Sequence, residues 1–117
     1  MKIINKKSFF ELPNGTLYSK YKPCVFDGLF IKLETIRCSN GKAVDFCYKN
    51  LISELEINDS EDFNDILFEA EKTNKDIKLN FEIEQRDGLY DNNQMFAIYS
   101  KKDIANFLKG ISNCIGI

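Results

Sequence analysis

Apolar residues Ile77, Leu79, Phe81 and Ile83 alternate with the polar residues Lys78, Asn80, Glu82 and Glu84. A period of two with one apolar face is the pattern of a half-buried strand. Residues 95–99, MFAIY, are continuously apolar, which suits a strand covered on both faces and therefore an interior one. Between the two lies the polar run 85–93, with Asp87-Gly88 as its turn signal, because glycine accepts positive φ and aspartate bonds its local backbone. The pattern predicts a strand–loop–strand hairpin over residues 77–99, and the rest of the chain is expected to pack around it.

Ser8 and Glu11 have capping-box spacing around a short helical turn that Pro13 would end, and Asn14-Gly15 then turns the chain,. Residues 16–21, TLYSKY, read as a strand. Leu17, Ser19 and Tyr21 share one face of it, and Tyr18, Lys20 and Lys22 the other. Pro23 would stop this strand, with a turn expected at Asp27-Gly28. Residues 29–37 form the next strand, Asn40-Gly41 signals a hairpin, and residues 43–48 return,. Residues 51–57 follow neither period.

Asp59 or Ser60 is expected to cap a helix over residues 61–72. Its apolar stripe would be Phe63, Ile66, Leu67 and Ala70, with acids gathered at its positive end,. Ser100 and Asp103 open a last helix with the stripe Ile104, Phe107, Leu108 and Ile111, and Gly110 is expected to help end it,. No βαβ rhythm appears. The expected fold is a single α+β domain over residues 1–117, with a mainly antiparallel sheet of about five strands, two main helices and a short N-terminal helical turn. Phe63, Leu67, Phe81, Phe96, Ile98, Phe107 and Leu108 are its expected core.

A chain of 117 residues suits one hydrophobic core. No apolar run reaches membrane-spanning length and the first residues lack the apolar stretch of a signal peptide, so the expectation is a cytoplasmic protein without a membrane partner. Cys24, Cys38, Cys47 and Cys114 have neither C-x-x-C nor zinc-finger spacing,. Four free thiols are expected, with Cys47 and Cys114 buried among apolar neighbours. The net charge of −2 is unevenly distributed. Residues 1–50 carry eight Lys and one Arg against four acids, a net +5. Residues 51–99 carry three Lys and one Arg against thirteen acids, a net −9, and the last 18 residues are net +2. Such asymmetry points to a partner surface.

The chain has no histidine. That removes Ser-His and Cys-His nucleophile pairs, histidine metal sites and the side chain most used as a base near neutral pH. Neither a Walker motif nor a Gly-rich phosphate loop is present, and the acidic runs lack EF-hand spacing. No catalytic residue, metal or cofactor is therefore expected.

Three patches are candidates for binding. Arg86, with Asp87 and Tyr90, stands in the polar loop where a guanidinium would clamp a phosphate or carboxylate; an internal salt bridge is the plainer alternative. Tyr18, Lys20 and Lys22 interleave aromatics with cations, as a strand that stacks bases would, or as an exposed amphipathic edge would. Asp62, Asp65 and Glu69 fall on one side of a helix, where carboxylates imitate phosphates or merely face solvent.

Residues 9–18 with Tyr21-Lys22-Pro23, the acidic stretch 59–62, and residues 86–91 with 94–99 together resemble small accessory proteins carried by phages and prophages. The resemblance covers about half the chain. It carries over no functional residue, but implies a setting in which such proteins bind and inhibit host factors, defence systems included. The first expectation is thus a non-enzymatic inhibitor of a host protein or nucleoprotein complex, of the anti-CRISPR kind. A second is a homo-oligomer that sequesters a nucleotide signal between subunits, and a third is a small metal-dependent hydrolase or nuclease using carboxylates.

Overall fold

The computed structural model describes residues 1–52, 54–57 and 61–117. In chain order they form β1 (Lys2–Ile4), α1 (Lys6–Phe10), β2 (Thr16–Lys22), β3 (Val25–Arg37), β4 (Ala43–Asn50), α2 (Phe63–Thr73), β5 (Glu84–Arg86), β6 (Met95–Ile98) and α3 (Lys101–Cys114). The six strands make one antiparallel sheet in the order β1-β6-β2-β3-β4-β5. The fold is α+β as expected, with one more strand.

The sheet curls sharply around an aromatic cluster. Phe46 on β4 and Phe96 on β6 stand three strand steps apart, yet their ring centres are 5.9 Å apart. On a flat sheet three steps span about 14 Å, so the strands wrap into a half-barrel. Phe9, carried on α1, plugs the concave side. Its ring stacks on Phe96 at 3.9 Å and meets Phe46 and Tyr18 edge-on at 4.9 and 4.8 Å. Phe9, Tyr18, Phe46 and Phe96 are fully buried. Asn5 caps α1 by accepting a hydrogen bond from the Ser8 amide at 2.9 Å. Ser8, the expected cap, therefore lies inside a helix that begins two residues earlier.

The hairpin expected over residues 77–99 does not form. Its halves are separated in the sheet by β2, β3 and β4. Residues 77–83 contribute instead an isolated bridge, Leu79 to Leu55, flanked by backbone bonds between residues 54–56 and 78–80. The polar loop after β5 is too long to force a tight turn, so β5 joins β4 while β6 inserts between β1 and β2. The expectation that residues 95–99 supply an interior strand holds.

The β2–β3 turn falls at Pro23-Cys24, where Cys24 takes the positive φ of 64°, and not at Asp27-Gly28. Gly28, with φ 72°, sits inside β3, where the β2–β3 register shifts between Tyr18 and Lys20. A Cβ there would overlap the Phe30 ring, so a side chain would both strain the backbone and strike the ring.

Asp62 caps α2, its carboxylate accepting from the amides of Asn64 at 2.8 Å and Asp65 at 3.2 Å. Asp59 and Ser60, the expected caps, lie outside the described residues. Ser100 and Asp103 form the expected capping box of α3, which runs through Gly110 to Cys114 rather than ending near the glycine.

The Met1 ammonium stands 2.9 Å from Asp103. This bond, with those from Ser100, holds the Asp103 carboxyl down to about 2. A depressed folded value contributes stability above the ordinary carboxyl range, and that contribution is lost as pH falls through the lower value. An NMR titration of the Asp103 carboxyl carbon is expected to give a midpoint near 2. A midpoint near the ordinary 3.8 would show that the terminal bridge does not hold in solution.

Phe96 is buried as expected, and Leu67 and Ile98 are half-buried, but Phe63, Phe81, Phe107 and Leu108 are exposed. Neither α2 nor α3 packs broadly on a strand. The radius of gyration is 16.6 Å, against about 13 Å for a compact chain of this length. The accessible surface is 8525 Å², against about 6,600 Å² for a compact protein of this mass. All four cysteines are free; Cys47 is half-buried, while Cys114, expected inside, is exposed at the outer end of α3.

Candidate functional site

The loop that leaves β5 gathers five of the candidate residues into two ion-paired groups. Asp87 follows the last residue of β5, and its carboxylate meets the Lys20 ammonium at 2.9 Å across the concave face. Only 4% of the Asp87 side chain and 19% of the Lys20 side chain are exposed. Tyr18 lies beside them, fully buried, and its hydroxyl has no hydrogen-bond partner among the described residues. Burial, then the negative charge of Asp87 and the neighbouring Tyr48, pushes its ionisation far up the alkaline range. Tyr48 is shifted upward for similar reasons, burial first and Asp87 next, and its hydroxyl donates to Gln85 at 3.2 Å.

An unpartnered buried hydroxyl costs stability without return. Tyr18→Phe is therefore expected to leave the urea midpoint unchanged or to raise it. A loss above about 1 kcal/mol would mean that the hydroxyl is bonded in solution.

The second group forms on the other side of β5. The Arg86 Nε donates to Asp45, and its Nη2 donates to the Tyr90 hydroxyl at 2.7 Å. Asp45 is 1% exposed and also accepts from the Gly88 amide at 3.1 Å. Burial alone would raise the Asp45 carboxyl, but the Arg86 and backbone hydrogen bonds outweigh it, and the net shift is downward. Tyr90 takes a positive φ of 53° to reach its partner. The internal salt bridge is thus the arrangement Arg86 adopts. Arg86→Ala would strand a buried carboxylate and is expected to lower the thermal midpoint clearly, whereas Arg86→Lys keeps the charge beside Asp45 and should lower it less,. An unchanged midpoint for the alanine variant would show that Asp45 finds another partner.

Lys22 stands exposed near the β2–β3 turn, apart from Tyr18 and Lys20. The stacking edge expected from these three residues does not form, because β2 lies between β6 and β3 and turns Tyr18 into the core.

Asp62, Asp65 and Glu69 are brought together in a cleft of ≈ 470 Å³, where Glu56, Glu61 and Asp76 join them and Lys75 and Lys78 are the cations. Asp62 is occupied as the helix cap. No group of three or more Asp, Glu or Cys side chains among the described residues is arranged to hold a metal ion. No described helix is long and apolar enough to cross a membrane.

A second cavity, of ≈ 520 Å³, lies between α1 and the β3–β4 turn, with Lys6, Lys7, Arg37 and Lys42 around it. The sequence pattern did not single it out. Its residues come from separate segments, and the +5 balance of residues 1–50 was the only trace of it. Comparison of the chain with family models, curated proteins and solved structures gave no match in any of the three.

Proposed function

We propose that this chain is a non-enzymatic binding protein of a phage or mobile element that inhibits a host protein or nucleoprotein complex, with α2 as its docking surface. The observation that carries the reading is the exposed surface of α2 beside the acidic cleft. Phe63 and Phe68 are exposed at separate positions around α2, Phe68 at 59%, and Asp65, three residues before Phe68, shares its side of the helix, with Glu69 one turn beyond Asp65 at the cleft,. An aromatic anchor among carboxylates fits the basic groove of a nucleic-acid-binding partner. The rings supply desolvated contact, and the carboxylates occupy the place of phosphates. The surface in excess of a compact chain leaves room for an interface of standard size, about 800 Å² per partner. Counter-defence of the anti-CRISPR kind is the form that suits such a groove, because guide–target duplexes run in positively charged channels.

The test is a plaque assay in bacteria carrying nucleic-acid-targeting defence complexes. The chain is expected to restore plaquing against at least one of them. The double change Asp65→Lys with Glu69→Lys should abolish the effect while lowering the urea midpoint only slightly, through the loss of a carboxylate from the first turn of α2,. Restoration against none, or an equally active double variant, would defeat the reading.

A further inference from the structure

Four of the nine cations among residues 1–50 gather at one place. Lys6, Lys7, Arg37 and Lys42 line the ≈ 520 Å³ cavity, Phe10 forms part of its wall, and Glu11 is its one carboxylate. Glu11 is engaged by Arg37 at 3.2 Å, so the lining remains strongly cationic in a protein whose net charge is −2. A cationic recess in an otherwise acidic molecule focuses anions toward itself.

Lys6 is the unusual member. It is 5% exposed, yet among the described residues its ammonium donates only to the Asp91 carbonyl, at 3.2 Å, and stands 5.8 Å from the centre of the Phe10 ring. An ammonium has three donors, and a buried charge with so few partners is costly. The side chains of Lys7 and Lys42 have no ion-pair partner among the described residues. With Arg37 paired to Glu11, three ammonium groups remain, more than one phosphate needs. The volume falls in the range of small-molecule sites, and the aromatic wall suits a planar ring.

We propose that this cavity binds a phosphate-bearing nucleotide, with Lys7 and Lys42 on the phosphates, Lys6 beneath them and the base against Phe10. Arg37 contributes charge to the lining while its guanidinium is held by the Gly41 carbonyl and Glu11. The site is separate from the face of α2 and does not depend on the docking reading.

The experiment is isothermal titration of the full chain at physiological salt with ATP and with cyclic di-AMP, alongside inorganic triphosphate and adenosine. At least one nucleotide should bind, triphosphate more weakly, and adenosine not at all. Lys7→Ala with Lys42→Ala should weaken the nucleotide by about tenfold or more while leaving the urea midpoint in place, since neither side chain pairs with a carboxylate. The Asp65→Lys, Glu69→Lys variant should bind as the parent does, which separates this proposal from the docking surface. No binding of either nucleotide at millimolar concentration would overturn the proposal. So would triphosphate binding as tightly as ATP, or an equal loss on Lys101→Ala with Lys102→Ala, which would mean diffuse charge rather than a built pocket.

Discussion

Phe9→Ala is expected to cost about 3–5 kcal/mol of unfolding free energy, as large buried aromatic truncations do. The ring is wholly buried and touches Tyr18, Phe46 and Phe96 at centroid distances of 4.8, 4.9 and 3.9 Å. Those neighbours stand on β2, β4 and β6, held by backbone ladders on both sides. The hole left by the ring cannot close without uncurling the sheet, and the cavity cost adds to the lost burial. Against a total of about 5–15 kcal/mol for a domain, the variant should be partly unfolded at modest urea concentration. A loss under about 1 kcal/mol would mean that α1 does not seat in the half-barrel.

The second large effect is expected at Lys20. Its partner Asp87 is 4% exposed, so Lys20→Met leaves a carboxylate buried without its cation. Breaking a buried pair from one side costs about 3–5 kcal/mol, whereas replacing both partners is far milder. Lys20→Met with Asp87→Leu should therefore recover most of the loss. The comparison is a double-mutant cycle in urea melts. Equal and additive losses from the two single variants would show that the pair is not coupled.

What could be read in the chain divides between local and distant information. The Asn40-Gly41 hairpin and the Ser100–Asp103 cap were legible because each rests on neighbouring residues. Strand β1, three residues long, offers too little pattern to detect. The alternation across residues 77–83 pointed to a half-buried strand, but no strand forms there and Leu79 and Phe81 are exposed, because periodicity does not say what covers a face. The same holds for the stripes of α2 and α3, where Leu108 is 61% exposed. Candidate residues were chosen by type and spacing along the chain. Lys20 and Asp87 are 67 positions apart, and Arg86 reaches Asp45 across 41. No spacing rule joins such pairs. The acidic residues of α2 lie within one segment and were found together, whereas the basic cavity draws on three and was not.

The position of β6 governs how the chain can assemble on the ribosome. This strand sits between β1 and β2, so β1 has no partner, and β2 lacks one of its two, until residues near position 95 are made. At about 5–20 residues per second, translation imposes a delay of roughly 4–15 seconds between the synthesis of β2 and that of β6. Throughout that interval Phe9 and Tyr18 exist without Phe96, and β2 can pair only with β3. The nascent β2–β3–β4 meander thus carries an open edge and an uncovered aromatic patch, and closure comes as one late insertion. Pairing at such sequence separation is slow, which makes the waiting state the step at which crowding by other nascent chains, or a chaperone, decides yield.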